Sequence, residues 1–202
     1  MKTGQNDRSD NMKNNKGFSL IELLVIISIM GVVLLYGTPR VDSLFGYSAK
    51  EANSKIYNGI VNFKTSFMGK SRSQEKNTVI NTGGTVVVNP NLDMYMEIYE
   101  DAKGVYYVKF YEAGTDAKVE KLGPRRIKIS YTLKGDPTMR DVGPEGSGLV
   151  LAFDRSTGGF LAYGKDTASS EPVYVQYIYC SSGTKTYVNE LMPKTGKVKA
   201  VK

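Results

Sequence analysis

Side-chain chemistry draws on a short list of groups, and this sequence offers few of them in usable combinations. There is no histidine, which removes the commonest general base and the commonest metal ligand together. Cys180 is the single cysteine, so an internal disulfide and a cysteine zinc site are excluded, and a buried, inert thiol is expected. Glu100 and Asp101 are adjacent, which on a strand sends them to opposite faces instead of into one acid–base pair. Residues 159–165, GFLAYGK, have the G-x-x-x-x-G-K spacing of a phosphate loop, but Asp166 stands where Ser or Thr is needed. The interior of that stretch reads as an apolar strand and 167–172 as a turn, whereas a phosphate loop needs a helix behind it. Gly143–Gly148, GPEGSG, is a plain loop. With no nucleophile, base and orienting group to assemble, the sequence points away from an enzyme and implies no cofactor and no metal.

Two basic groups remain. Lys197 and Lys199 share one face of a predicted strand, with Lys194 and Lys202 close by, and Arg125, Arg126 and Lys128 form a second cluster. Such residues make salt-sensitive, sequence-independent phosphate contacts, so DNA is a candidate partner through Lys197 and Lys199. A solvated charged tail is the plainer expectation, because lysine lacks the bidentate fork of arginine. Lys and Arg outnumber Asp and Glu by 27 to 20, a surplus too small to require an anionic partner.

Glu22 is the residue that demands a reason. From Phe18 to Tyr36 it is the only formal charge in an apolar run. Those nineteen residues would rise about 28 Å as a helix, close to the roughly 30 Å hydrocarbon core of a bilayer. Lys13 and Lys16 precede the run and predict a cytoplasmic N-terminus. A secretory signal would need a small-residue cleavage site, which Tyr47-Ser48-Ala49 matches poorly. A simple anchor leaves the carboxylate unexplained, since a charge in a membrane helix costs roughly 2.5–3.5 kcal/mol on insertion scales unless it finds a partner.

The stretch GFSLIELLVIISIMG resembles the class III signal of type IV pilins and pseudopilins. The resemblance implies cleavage by a prepilin peptidase between Gly17 and Phe18, N-methylation of Phe18, and a place for Glu22 where the family carries its glutamate. There the carboxylate would be neutralised by the terminal ammonium of a neighbouring subunit, which sets register during assembly. Gly31 and Pro39 also fall where many pilins carry Gly and a helix-bending Pro, so a kink or local melting is expected near Pro39. A seventeen-residue leader is long for the class, but Met12 opens MKNNKG, a basic leader of the usual kind, and is a candidate start. The ending Leu191–Val198, LMPKTGKV, is similar to the last hairpin of H-type minor pseudopilins and fimbrial T-type minor pilins. Lys70–Glu75 likewise resembles the end of their long helix. In the fimbrial T-type, a similar basic ending is associated with DNA binding.

The elements follow from periodicity. Ser48-Ala49-Lys50-Glu51 is an S-x-x-E capping box, and Gly46 is a place where the helix could break. Ala52, Ile56, Ile60, Phe63 and Phe67 then recur at helical spacing through about Arg72. After that the period becomes two. Strands are predicted at 85–88, 94–99, 105–111, 126–132, 149–154, 160–163, 173–181, 186–190 and 197–201, with a hairpin loop at 154–159.

The expected fold is α+β: a long N-terminal helix, membrane-spanning in its first half, packed on an antiparallel sheet or a two-sheet head. The expected divisions are a cleaved leader at 1–17, a transmembrane and assembly helix at 18–38, its amphipathic continuation at 39–72, and the head at 73–202. The implied location is a single pass through the inner membrane with the head outside, then an extracytoplasmic filament. Implied partners are other pilin or pseudopilin subunits, the prepilin peptidase/methyltransferase and the inner-membrane assembly platform. The function expected is a minor pilin or pseudopilin of a type IV pilus or type II secretion pseudopilus. The alternatives are a DNA-binding minor pilin for natural transformation and a plain membrane-anchored β-domain.

Overall fold

The computed structural model describes residues 18–69, 80–82, 85–87, 94–165 and 172–201. The expected leader, with Gly17, and the stretch Lys70–Glu75 lie outside them. The chain divides into two compact units, Met1–Pro39 and Arg40–Lys202. One helix, α1 (Leu20–Met68), supplies the described part of the first unit and opens the second. The helix runs unbroken past Gly31, Pro39 and Gly46, although Pro39 has no amide to donate to the turn before it. The expected start at Ser48 is therefore corrected. Ser48 lies inside the helix, and Glu51 pairs with Lys55 one turn on at 3.0 Å instead of closing a cap.

In the second unit the strands in chain order are β1 (Ile80–Thr82), β2 (Thr85–Val87), β3 (Met94–Glu100), β4 (Tyr106–Glu112), β5 (Lys118–Lys121), β6 (Lys128–Leu133) and β7 (Asp136–Asp141). They continue as β8 (Leu149–Leu151), β9 (Gly164–Lys165), β10 (Pro172–Val173), β11 (Val175–Ser182), β12 (Lys185–Met192) and β13 (Lys197–Val201). Two antiparallel sheets dominate, ordered β5-β4-β3-β8 and β13-β12-β11-β6-β7; β1–β2 and β9–β10 are separate pairs.

The apolar stripe of the helix is the core face, as its spacing requires. Ala52, Ile56, Ile60, Phe63 and Phe67 are buried in one cluster with Met96, Ile98 and Val108 of one sheet and Ile129, Ile178 and Leu191 of the other. Phe153 joins the layers, with its ring centroid 6.2 Å from Phe63, 6.3 Å from Phe67 and 4.8 Å from Phe160. Gly59 sits where an added Cβ would meet the Phe110 ring at 3.0 Å, so α1 lies close on β4. On the other side, buried Asn53 and Asn189 tie α1 to β12: Asn189 Nδ2 donates to Asn53 O at 3.0 Å and Asn53 Nδ2 to Asn189 Oδ1 at 3.3 Å. The head is thus α+β, with two antiparallel sheets sharing the helix.

Residues 160–163, expected as a strand, form no ladder. Their amides go to three separate segments: Phe160 N to Pro193 O, Leu161 N to Ala152 O and Tyr163 N to Val173 O. The expected loop at 154–159 is present, closed by Asp154 N to Gly159 O at 2.8 Å and an isolated Phe153–Phe160 bridge.

Candidate assembly site

The described N-terminal residues begin with Phe18 and Ser19, ahead of α1. The amide of Glu22 donates to Ser19 O at 3.0 Å and lies 3.4 Å from Ser19 Oγ, while Leu23 N donates to Ser19 O at 3.1 Å. Ser19 therefore caps the helix, and Ser19-Leu-Ile-Glu22 is itself an S-x-x-E sequence. That signal was available in the sequence and fixes the true helix start. Glu22 falls in the first turn, where the helix dipole favours a carboxylate.

From Phe18 to Leu35 every described side chain is exposed, Leu20 to 83% and Ile26, the least exposed of the large apolar ones, still to 39%. A helix apolar on all sides needs cover from lipid or from other helices. Ser28, the neutral polar residue within this stretch, satisfies its hydroxyl on the helix itself, its Oγ donating to Leu24 O at 2.8 Å. Glu22 has no ion-pair partner among the described residues. Among those residues no helix is long and apolar enough to cross a membrane; the side chains of residues 36–45, which continue this helix, lie outside them.

The other sequence candidates separate. Lys197 and Lys199 lie exposed on β13, an edge strand, with Lys199 directly across from Glu190 of β12. Glu190 also lies within 3.5 Å of Tyr177 OH. Lys197 is close enough to Lys64 that its charge adds to desolvation in lowering the Lys64 pKa. Lys128, three strands away on β6, pairs with Asp141 at 3.0 Å. The two basic clusters are thus not brought together. Asp101 ends in a turn, its Oδ1 accepting from Lys103 N and Val105 N, both at 2.9 Å. Cys180 is buried on β11, and burial pushes its thiol up to about 12, so it stays protonated.

One cluster has no counterpart among the sequence candidates. On the face of β3 and β4 away from the core, Tyr95 stacks on Tyr111 at 4.7 Å and Tyr99 on Tyr107 at 5.8 Å, with Glu97 opposite Lys109 between them. The loop 143–148 folds over this face. Gly146 N donates to Glu97 Oε1 at 2.6 Å and Lys109 pairs with Glu145 at 2.7 Å, a hydrogen bond that raises the lysine pKa. The signal was present as Tyr-x-Glu-x-Tyr at 95–99 facing Tyr-x-Lys-x-Tyr at 107–111, two segments that pair their charges only in this register.

No curated protein and no solved structure compared with the chain matches it significantly. Residues 12–37, which include Ser19, Glu22 and most of the exposed apolar helix, match the prokaryotic N-terminal methylation motif, and the match supports a prepilin-type protein of the structural, type IV pilin-like class.

Proposed function

We propose that the chain is a minor pilin or pseudopilin, a structural subunit of a type IV pilus or a type II secretion pseudopilus. The observation that carries the reading is the methylation motif at 12–37 coinciding with the apolar run Phe18–Tyr36, whose single charge is Glu22. Prepilin peptidase cuts between Gly17 and Phe18, and Phe18 becomes a methylated N-terminus one residue before the Ser19 cap. The helix is held in the inner membrane with its start on the cytoplasmic side, supported by Lys13 and Lys16. Glu22 remains without a partner until the assembly platform delivers the subunit to the filament base. There the ammonium of a neighbouring Phe18 neutralises it, removing a charge that is costly in lipid. The apolar faces then pack against neighbouring helices, and the two-sheet head lies outside the membrane.

The test is the intact mass and N-terminal sequence of the protein recovered from host membranes. A chain beginning at methylated Phe18 is expected, and replacing Gly17 by a bulky residue is expected to leave the leader attached. A chain still beginning at Met1 or Met12, in cells with active prepilin peptidase, would reduce the protein to an anchored β-domain.

A further inference from the structure

Three loops of the head gather around the part of α1 that enters it. Gly46 lies against the β11–β12 turn, where an added Cβ would stand 3.1 Å from Lys185 Cγ. That turn reaches the β5–β6 loop, Ser182 Oγ donating to Arg126 O at 3.4 Å. The same loop meets the β3–β4 turn, since a Cβ on Gly104 would lie 3.5 Å from Arg125 Nε and 3.4 Å from Glu100 Oε1. Lys55 Nζ closes the ring from α1 by donating to Lys121 O at 3.1 Å.

This end of the head is basic. Glu51 pairs with Lys55, Asp141 with Lys128 and Glu145 with Lys109. Six exposed cations remain, Lys50, Lys103, Lys121, Arg125, Arg126 and Lys185, against three carboxylates that are only partly exposed, Glu100, Asp101 and Glu120. Asp101 is engaged in its own turn and Glu100 lies beside Arg125. Arg40, Asp42 and Lys202 adjoin this end in the chain; their side chains lie outside the described residues, and by sequence they add one further net positive charge. Tyr47, next to Gly46 on α1, is 68% exposed at the same end.

We infer that this end of the head binds the anionic phospholipid headgroups of a bilayer surface, an inference that rests on the reading above in which the apolar run Phe18–Tyr36 sits in lipid. Gly46 follows Tyr36 by ten residues, about 15 Å of helix, so this end is the part of the head tethered nearest that run whatever angle the chain takes between them. Lysine and arginine within a Debye length of an anionic surface are drawn to it, and an exposed tyrosine suits the boundary between headgroups and acyl chains. A freely diffusing polyanion would meet the same cations, but a bilayer is presented to them by the chain itself.

The test reconstitutes the full chain in vesicles of phosphatidylcholine alone or mixed with phosphatidylglycerol and follows amide hydrogen exchange. Exchange at 101–105 and 122–127 is expected to be slower in the anionic vesicles by about fivefold or more, the factor one basic residue supplies near such a surface, and raised salt should remove the difference. The β12–β13 turn, at the other end of β12, should exchange alike in both. Lys103→Glu/Lys121→Glu, two exposed changes, should abolish the difference, with unchanged exchange of buried β11 amides showing that the variant is folded. Lys134→Glu/Lys194→Glu, exposed changes away from these loops, should preserve it. Stronger protection by duplex DNA added to the neutral vesicles than by the anionic lipid would overturn the inference in favour of a nucleic acid. A chain that floats with neither vesicle would overturn the membrane reading and this inference together. One that floats with both and exchanges alike in both would overturn this inference alone.

Discussion

Glu97 is only 2% exposed although it lies on the outer face of its sheet, and two groups account for this. Gly146 gives it a hydrogen bond, and Lys109 faces it across the strands while also holding Glu145. The two supports differ in what their loss leaves behind. Lys109→Met strands a buried carboxylate with no cation opposite, which is expected to cost about 2–3 kcal/mol; the lysine is about a fifth exposed, so the figure sits at or below the low end for buried pairs. Glu97→Leu removes the charge along with its need for a partner, and Gly146 is exposed, so its freed amide turns to water. The double variant Lys109→Met/Glu97→Leu is therefore expected to recover to within about 1 kcal/mol of the parent. Chemical unfolding of all four proteins in one detergent measures the cycle. Additive losses would mean that Lys109 supports the loop through Glu145 alone.

Elements at the edges of this head are held by turns whose geometry only glycine meets, and the turn before β13 is the most demanding. Gly196 has φ +58°, and a Cβ there would fall on the carbonyl oxygen of Gly158. Gly114, in the β4–β5 turn, has φ +81° with open space around it. Gly114→Ala is thus expected to cost only the left-handed backbone term, about 1–2 kcal/mol. Gly196→Ala must also part the last hairpin from the 154–159 loop and is expected to lose about 4 kcal/mol or more. Similar losses in thermal unfolding would show that the two loops are not locked together. The TG-basic-V ending of the hairpin was legible in the sequence, but the contact that makes Gly196 irreplaceable is not, since Gly158 lies 38 positions away. The same limit explains which strands periodicity found. Buried strands such as β3, β6 and β11 carry alternating apolar residues and read clearly. β5 and β7, KVEK and DPTMRD, are sheet edges with mostly exposed side chains, so no alternation marks them. Residues 160–163 alternate well enough to read as a strand, yet their amides bond three different segments, which a linear pattern cannot encode.

At the scale of the whole molecule, the chain joins a head with a finished core to a helix with no finished surface. The second unit buries its apolar stripe on two sheets, whereas the first exposes every described side chain from Phe18 to Leu35. The asymmetry was readable because both signals are local: an unbroken apolar run with one charge, and an apolar stripe at helical spacing from Ala52 to Phe67. What covers the helix, lipid or other helices, lies beyond any single chain. On the proposed reading the assembly role falls to Glu22, which contributes no ion pair among the described residues and is not part of the buried cluster of the head. Glu22→Ala is accordingly expected to leave the thermal unfolding of the head within about 0.5 kcal/mol of the parent, as for a surface change. Membrane insertion should be preserved, since alanine lowers the insertion cost of the helix. Leader removal at the proposed cut between Gly17 and Phe18 should also persist, because that bond lies outside the altered turn. Incorporation should fall steeply, because the alanine subunit gains nothing from a neighbouring ammonium when it leaves lipid for the filament. Quantifying the variant in sheared filaments against its membrane pool separates these expectations. A normal filament share would dismiss charge pairing as the docking force and leave apolar packing along 18–35 to drive assembly.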